Sequence, residues 1–354
     1  MSPERPDAAK PRVTLREVAL HAGVSVATAS KVLNGRATLR SSTREAVTDA
    51  AQLLGYEPRR RHAEKPRRSI ALQLQGLDSA YEMGVFAGAE YAARRHSVDL
   101  LVSSSEGKGL SRAWMTDVAA RGVDGVVAVV APIQENHARW SRALSLPLIV
   151  VDPIVHGNGI DGILTVTATN WEGGVTAVRH LLDLGHRRIG ILVGPTGSVP
   201  GSQRLEGYFS ALNQSGIPID DDLIVHGGFE EHEGEAGATR LLDLPQPPTA
   251  IFATSDALAL GALRAAQERE IAVPEELSVI AFDDTMVTRW TTPQLTAIKQ
   301  PLFSMGQVAV ERLLALAADP DSFAHPFKLE TQLIERGSTA HRNTIEGSGA
   351  STSS

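Results

Sequence analysis

Four apolar runs in the later part of this chain end on polar groups. LPLIVVDP reaches Asp152, TAIFATSD reaches Ser255-Asp256, LSVIAFDD reaches Asp283-Asp284, and RRIGILVGP leads on to Arg204. Carboxylates accept hydrogen bonds strongly, and an arginine presents two donors in one plane. Brought together, these residues suit a ligand rich in hydroxyl groups. Tyr81 and Phe229 also follow strand ends, and their rings are suited to stacking on the C–H face of a sugar. Each residue has a plainer alternative. Asp283 and Asp284 could cap the next turn, Arg204 could pair with Glu206, and the two aromatics could belong to the core. Trp171 and Trp290 are read as packing residues at domain interfaces, and His186 as a structural histidine at a helix-to-strand turn.

A different chemistry is written in residues 14–35, TLREVALHAGVSVATASKVLNG. Thr14 is placed to cap a helix whose apolar positions, Leu15, Val18, Ala19 and Ala22, follow helical spacing. Gly23 supplies the permissive backbone of a tight turn, and Ser25 caps a second helix. Ala29, Val32 and Leu33 of that helix face inward. Val26, Ala27, Thr28, Ser30 and Lys31 are left free, as on a helix that enters a DNA major groove.

The elements that must position these groups are of two kinds. After Asn34-Gly35, the segment SSTREAVTDAAQLLGYEP predicts a third helix with capping-box spacing at Ser42 and Glu45. Its predicted apolar face is Ala46, Val47, Ala50, Leu53 and Leu54; Gly55 ends it and Pro58 prevents its continuation. Three short helices can bury a small shared core. From Ser69 onward, β-branched runs alternate with amphipathic helical segments, which implies parallel sheets covered on both faces. About 270 residues is too long for one such core, so two Rossmann-like lobes are expected. Open parallel sheets bind ligands at the carboxyl ends of their strands, where the polar residues stand.

Charge divides the chain in the same way. Residues 1–68 carry 14 Lys plus Arg against 7 Asp plus Glu, while the remainder carries 20 against 34. A basic head on an acidic body fits a protein that meets phosphates with one end only. Cysteine is absent, so no disulfide or thiolate metal site can form, and no pair among the 11 histidines has a spacing such as H-E-x-x-H. No G-x-G-x-x-G follows the first strand and no Walker lysine follows a glycine-rich loop, which argues against a nucleotide cofactor. No nucleophile, acid or metal set is arranged by motif, so an enzyme is not expected. The N-terminal residues lack the apolar run of a secretory signal, and no stretch approaches the roughly 18 apolar residues of a membrane span. A cytoplasmic protein is expected. Residues 1–12 and the Ser-, Gly- and Thr-rich tail from about 339 read as disordered.

TLREVA, AGVSVATASKVLNG, TREAV and LGYEP occur here in the order and spacing of the lactose-repressor (LacI/GalR) family of bacterial transcription regulators. The chain resembles that family to about residue 338. The resemblance implies an all-α helix-turn-helix headpiece at 13–58, a basic hinge at 59–68, and a periplasmic-binding-protein-like α/β core at 69–338. In the core, lobe one spans about 69–167 and 301–329, and lobe two about 168–300 and 330–338. It implies base contacts from Val26, Ala27 and Lys31. Phosphate or positioning contacts are implied for Thr14, Ser25, Thr28, Ser30, Asn34 and Tyr56. Val26 and Ala27 can meet only a thymine methyl, whereas Lys31 can reach guanine acceptors, so the operator should differ from those of the best-known members.

For the ligand, the resemblance implies Arg204, Asp283, Phe229, Ser255-Asp256 and Asp152, with Tyr81 as the stacking ring and Asp78 beside it. It further implies a homodimer on palindromic double-stranded DNA, acting as a repressor of a carbohydrate-utilisation operon that a sugar releases. A corepressor-dependent repressor or an activator is the alternative within the family, and a sugar-transport protein the alternative outside it. No tetramerisation heptad shows in the tail, so dimers are expected. The hinge RRRHAEKPRR departs from the family's V-A-x-x-L helix: it has no leucine, Lys65 stands at the wedge position, and Pro66 follows. Arg59, Arg60 and Arg61 either read a narrow minor groove or form a basic linker that adds salt-dependent affinity.

Overall fold

The computed structural model describes residues 13–33, 41–56, 68–105, 108–155, 160–319 and 325–342. Asn34, the hinge residues Arg59, Arg60, Arg61, Lys65 and Pro66, the arm 1–12 and the tail from 343 lie outside the described residues. The chain falls into two compact units, Met1–Pro66 and Arg67–Ser354.

The first unit holds α1 (Leu15–His21), α2 (Val26–Leu33) and α3 (Ser41–Leu53). Thr14 caps α1 in a capping box with Glu17, and the Ser25 hydroxyl accepts from Thr28 N at 3.1 Å to start α2. Between them Gly23 takes φ +69°, a conformation that costs a side-chain-bearing residue more. Val18, Ala19, Ala29, Val47, Ala50 and Ala51 form the buried centre. Two expectations for α3 are corrected. Ser42 lies within its first turn, since the helix already runs from Ser41. Ala46 and Leu53 are exposed, and Ala51 takes their place, because the narrow stripe at 47, 50, 51 and 54 suffices for so small a core.

The second unit begins with β1 (Ser69–Leu74), α4 (Ala80–Arg95), β2 (Asp99–Ser104), α5 (Arg112–Ala120), β3 (Val126–Val129) and β4 (Pro132–Ile133). It continues through α6 (Glu135–Ala143), β5 (Leu148–Val151), β6 (Ile154–Val155) and β7 (Leu164–Ala168). The chain then crosses to α7 (Asn170–Asp183), β8 (Ile189–Val193), α8 (Val199–Gln214), β9 (Ile224–His226), α9 (Glu231–Leu242) and β10 (Ala250–Ala253). There follow α10 (Asp256–Glu268), β11 (Ser278–Asp283), β12 (Thr296–Lys299), α11 (Leu302–Ala318), β13 (Phe327–Leu329) and β14 (Gln332–Ile334).

Two six-stranded sheets result among the described residues, ordered β2-β1-β3-β5-β7-β13 and β9-β8-β10-β11-β12-β14. Pairing is parallel throughout both, except β14 on β12. The central strands β3, β5, β7, β8, β10 and β11 are buried along their whole length, as strands covered on both faces must be. Three passages join the lobes: β7 to α7, β12 to α11, and β13 to β14. At the first, Thr169 N donates to Leu329 O at 2.8 Å and Thr331 N to the Thr169 hydroxyl at 2.9 Å, lacing two passages together. A second tie is made by backbone alone. Ile154 of lobe one bridges Ser198 of lobe two, with Val155 N donating to Gly197 O at 2.7 Å.

Three helix pairs, α4 with α11, α7 with α8 and α9 with α10, cross where glycines meet backbone. A Cβ at Gly88 would strike the carbonyl of Phe303, and one at Gly306 that of Val85. Gly174 faces the carbonyl of Arg204 and Gly207 that of Trp171; Gly234 and Gly261 do the same for α9 and α10. The disordered tail expected from 339 is also corrected. Residues 338–342 are docked on lobe two: Ser338 accepts from Thr296 N at 2.8 Å, His180 bonds Thr339, and Arg342 N donates to Leu184 O. His186 is structural, as read, held by Thr249, Ser278 and the Ala340 carbonyl. Backbone partners outweigh the polar composition of this stretch.

The helix crossings give a prediction. A Cβ at Gly174 would sit 2.5 Å from the Arg204 carbonyl oxygen, a backbone atom that cannot swing away. Gly174→Ala is expected to destabilise the second unit by about 1–3 kcal/mol in a thermal or denaturant melt, while an unchanged midpoint would show that α7 and α8 separate freely.

Candidate functional site

The carboxyl ends of the strands in both lobes converge on one run of polar side chains. Tyr81, in the first turn of α4 after β1, donates its phenol proton to Asp152 Oδ2 at 2.6 Å. Asp152 follows β5 with φ +47°, and its other oxygen accepts from the Thr167 hydroxyl of β7. Asn170, the first residue of α7, donates to that hydroxyl at 2.9 Å and accepts at Oδ1 from Arg204 Nε, also at 2.9 Å. Arg204 lies on α8; its Nη1 donates to the Thr254 carbonyl and stands 3.6 Å from Asp283 Oδ1. Gln300, just past β12, donates to Asp283 at 2.7 Å. The run therefore passes from lobe one to lobe two through seven side chains.

Burial sets the electrostatics. Arg204 is 3 % exposed, its guanidinium carbon 3.8 Å from the Phe282 ring centroid. Asp283 has φ +114°, which turns its carboxylate back off the strand end. Burial pushes its pKa up to about 6 despite the neighbouring guanidinium. Burial also raises Asp152, with Arg204 and the Thr167 and Tyr81 hydroxyls opposing. Asp256, first residue of α10, accepts from Thr285 N at 2.7 Å; burial and the Asp283 charge push it well above the usual carboxylate range. Among the described residues, Thr254 Oγ1 and Gln300 Oε1 are buried without a partner, while the Thr285 side chain lies against the Asp256 carboxyl.

The remaining ligand candidates take other places. Ser255 caps α10, accepting from Leu258 N at 3.2 Å. Phe229 is partly buried and packs its ring directly over Gly194 at the end of β8. Asp78 is exposed on the loop before α4, beside Glu82, and no hydrogen bond joins it to the run. Neither aspartate caps the next turn, whose N-cap is Thr285; Asp284 accepts from the Thr288 hydroxyl and pairs with Arg336 at 2.6 Å. The alternative pairing of Arg204 with Glu206 does not occur. Trp290 is 73 % exposed, and Trp171 is also exposed. Sequence reasoning missed Thr167, Asn170, Thr254 and Gln300. All four end or follow strands, so the strand-end rule applied to every strand would have found them.

In the headpiece, Val26, Ala27 and Lys31 are exposed along one side of α2. Ser25 and Thr28 share a hydroxyl hydrogen bond of 2.8 Å, and Ser30 is partly buried. The Thr14 hydroxyl is engaged by Glu17. Tyr56 packs against the headpiece core, its N–H closing α3 on Ala51 O at 2.8 Å. Among the described residues no group of three or more His, Asp or Glu is placed to hold a metal ion, and no helix is long and apolar enough to cross a membrane.

Asp283 gives a pH prediction. Its folded pKa lies above the ordinary 3.8, so its protonated form favours the fold. That contribution is complete below about pH 4 and is lost as pH rises through about 6. Relative to Asp283→Asn, the native protein is expected to gain up to about 3 kcal/mol between pH 7 and pH 4. Parallel melting curves of the two proteins across that range would contradict the assignment.

Comparison with known proteins places both units. Residues 14–59 match a family described as "Bacterial regulatory proteins, lacI family", and residues 178–339 match "Periplasmic binding protein-like domain". The "HTH-type transcriptional repressor CytR" of Escherichia coli (strain K12) is 32% identical over 333 residues, covering 92% of this chain and 96% of the relative. Among solved structures, a "transcriptional regulator CelR-cellobiose complex" superposes with a TM-score of 0.69 at 29% identity, covering 92% of this chain and all of that one. The lac repressor dimer bound to operator and the anti-inducer ONPF superposes equally well, at 28% identity over 93% of this chain and 100% of the other.

Proposed function

Because this chain belongs to the LacI family of bacterial regulatory proteins, we propose that it represses a carbohydrate-utilisation operon and leaves its operator when a sugar enters the interlobe site. It is a ligand-responsive DNA-binding regulator, not an enzyme. The run from Tyr81 to Gln300 is the observation that carries the sugar reading. It supplies buried carboxylates, amides and hydroxyls from both lobes, so a polyol held there contacts both at once. The cellobiose complex of the relative described above supports this choice of ligand.

The operator is read by Val26, Ala27 and Lys31, with Thr14, Ser25, Thr28, Ser30, Asn34 and Tyr56 at the phosphates. Two copies bind one palindromic site in the cytoplasm, as the lac repressor dimer binds its operator. Arg59, Arg60 and Arg61 add charge at the minor groove, where no leucine is present to wedge the bases. No cofactor is needed beyond the small-molecule effector. A change in lobe closure is transmitted to the headpieces, and a working switch needs a coupling of about 1–3 kcal/mol between the two sites.

A band-shift titration with DNA from upstream of its own gene tests this. One sugar is expected to weaken operator binding by about 5- to 150-fold, and Lys31→Ala to weaken it by tenfold or more without ligand. Binding that tightens with the sugar would reverse the sign of the response. Unaltered binding by Lys31→Ala would remove that residue from base reading.

A further inference from the structure

We propose that the interlobe site accepts only ligands that carry no negative charge, and that it rejects the phosphorylated form of the molecule it binds. The inference rests on the ligand-responsive reading above but not on the ligand being a sugar. Its basis is an imbalance of charge and of hydrogen-bonding sense.

Three carboxyl groups, those of Asp152, Asp256 and Asp283, are each at least nine-tenths buried here, against the single guanidinium of Arg204. That cation is already partly engaged. Its Nε is bound to Asn170, its Nη1 to the Thr254 carbonyl, its charge faces Asp283 at 3.6 Å, and one face lies on Phe282. The neighbouring Arg336 is neutralised by Asp284 at 2.6 Å. Burial already disfavours the charged form of each of these carboxyls, so the added charge of a phosphate would compete with them for the one guanidinium, in a region where burial weakens screening.

The partnerless atoms agree. Gln300 donates through Nε2 to Asp283, which leaves Oε1 as the free end, and an amide oxygen only accepts. Thr254 adds a hydroxyl that either donates or accepts, while the Asp256 carboxyl is met by Thr285. A ligand that satisfies this set presents several O–H or N–H donors, whereas a phosphate or carboxylate presents acceptors. Buried acceptors left facing acceptors are penalised, so the discrimination is built in on both counts.

The test is calorimetric titration of the full-length protein with matched pairs. These are glucose and glucose 6-phosphate, cellobiose and its phosphate, and adenosine and its 5′-monophosphate. The expected result is binding of a neutral member, with its phosphorylated partner at least about a hundredfold weaker. Asp256→Asn is expected to weaken the neutral ligand by about tenfold and to narrow the gap between the pair. If that variant fails to fold, the native protein's paired titrations decide alone. Equal or tighter binding of a phosphorylated member overturns the inference, as does a panel with no neutral binder. So does stabilisation by inorganic phosphate that disappears in Arg204→Met. A nucleoside that binds where its nucleotide does not would leave the inference standing and remove the sugar reading. A sugar phosphate that binds and releases operator would do the reverse.

Discussion

A guanidinium held out of water at the centre of the second unit constrains everything around it. An isolated buried charge costs many kcal/mol, so Arg204 is tolerable only with its donors placed. Asn170 at the start of α7, the Thr254 carbonyl past β10 and Asp283 at the end of β11 place them. The three partners come from three separate elements, and each must be in register for the arginine to be satisfied. α8 must also lie close enough to α7 for Arg204 to reach Asn170. Gly174 and Gly207, whose missing side chains let the two backbones touch, make that approach possible. Helix packing and site chemistry are therefore one constraint.

The same burial explains why the carboxylates are unusual. Asp152, Asp256 and Asp283 share a single cation in a region poor in water, so the charged form of each is disfavoured. Beside them the Thr254 hydroxyl and Gln300 Oε1 are buried without a partner in the protein. Such a site is stabilised by a molecule that brings donors, and the two lobes that supply its walls are stabilised together with it. The backbone bridge between Ile154 and Ser198 and the Thr169–Thr331 lacing tie the two lobes together.

The headpiece works on a different principle. Its caps, its turn glycine and its small apolar stripe are all local, and the exposed side of α2 is what remains once that stripe is buried. Recognition of DNA by such a unit depends on a few exposed side chains and their spacing. Its short apolar positions Val26 and Ala27 favour methyl contacts over hydrogen bonds.

The sequence by itself determined what nearest neighbours decide: the three helices and their turn, and the alternation of buried strands with helices. It also marked the polar ends of those strands, from which Asp152, Arg204, Asp256 and Asp283 could be picked, because a buried strand shows any polar residue as an interruption. Tertiary structure alone decided which of them meet. The strand-end rule marks Asn170 only as a residue after a strand, and it is the approach of α8 to α7 that makes it the link between Asp152's partner Thr167 and Arg204. Asp283 and Asp284 are adjacent and alike in type, yet one faces Arg204 from a residue with φ +114° while the other pairs with Arg336 and the Thr288 hydroxyl. The glycines at the helix crossings and the docking of residues 338–342 were illegible for the same reason. Their partners lie tens to hundreds of residues away, and no local pattern records a contact that closes only when the sheets are assembled.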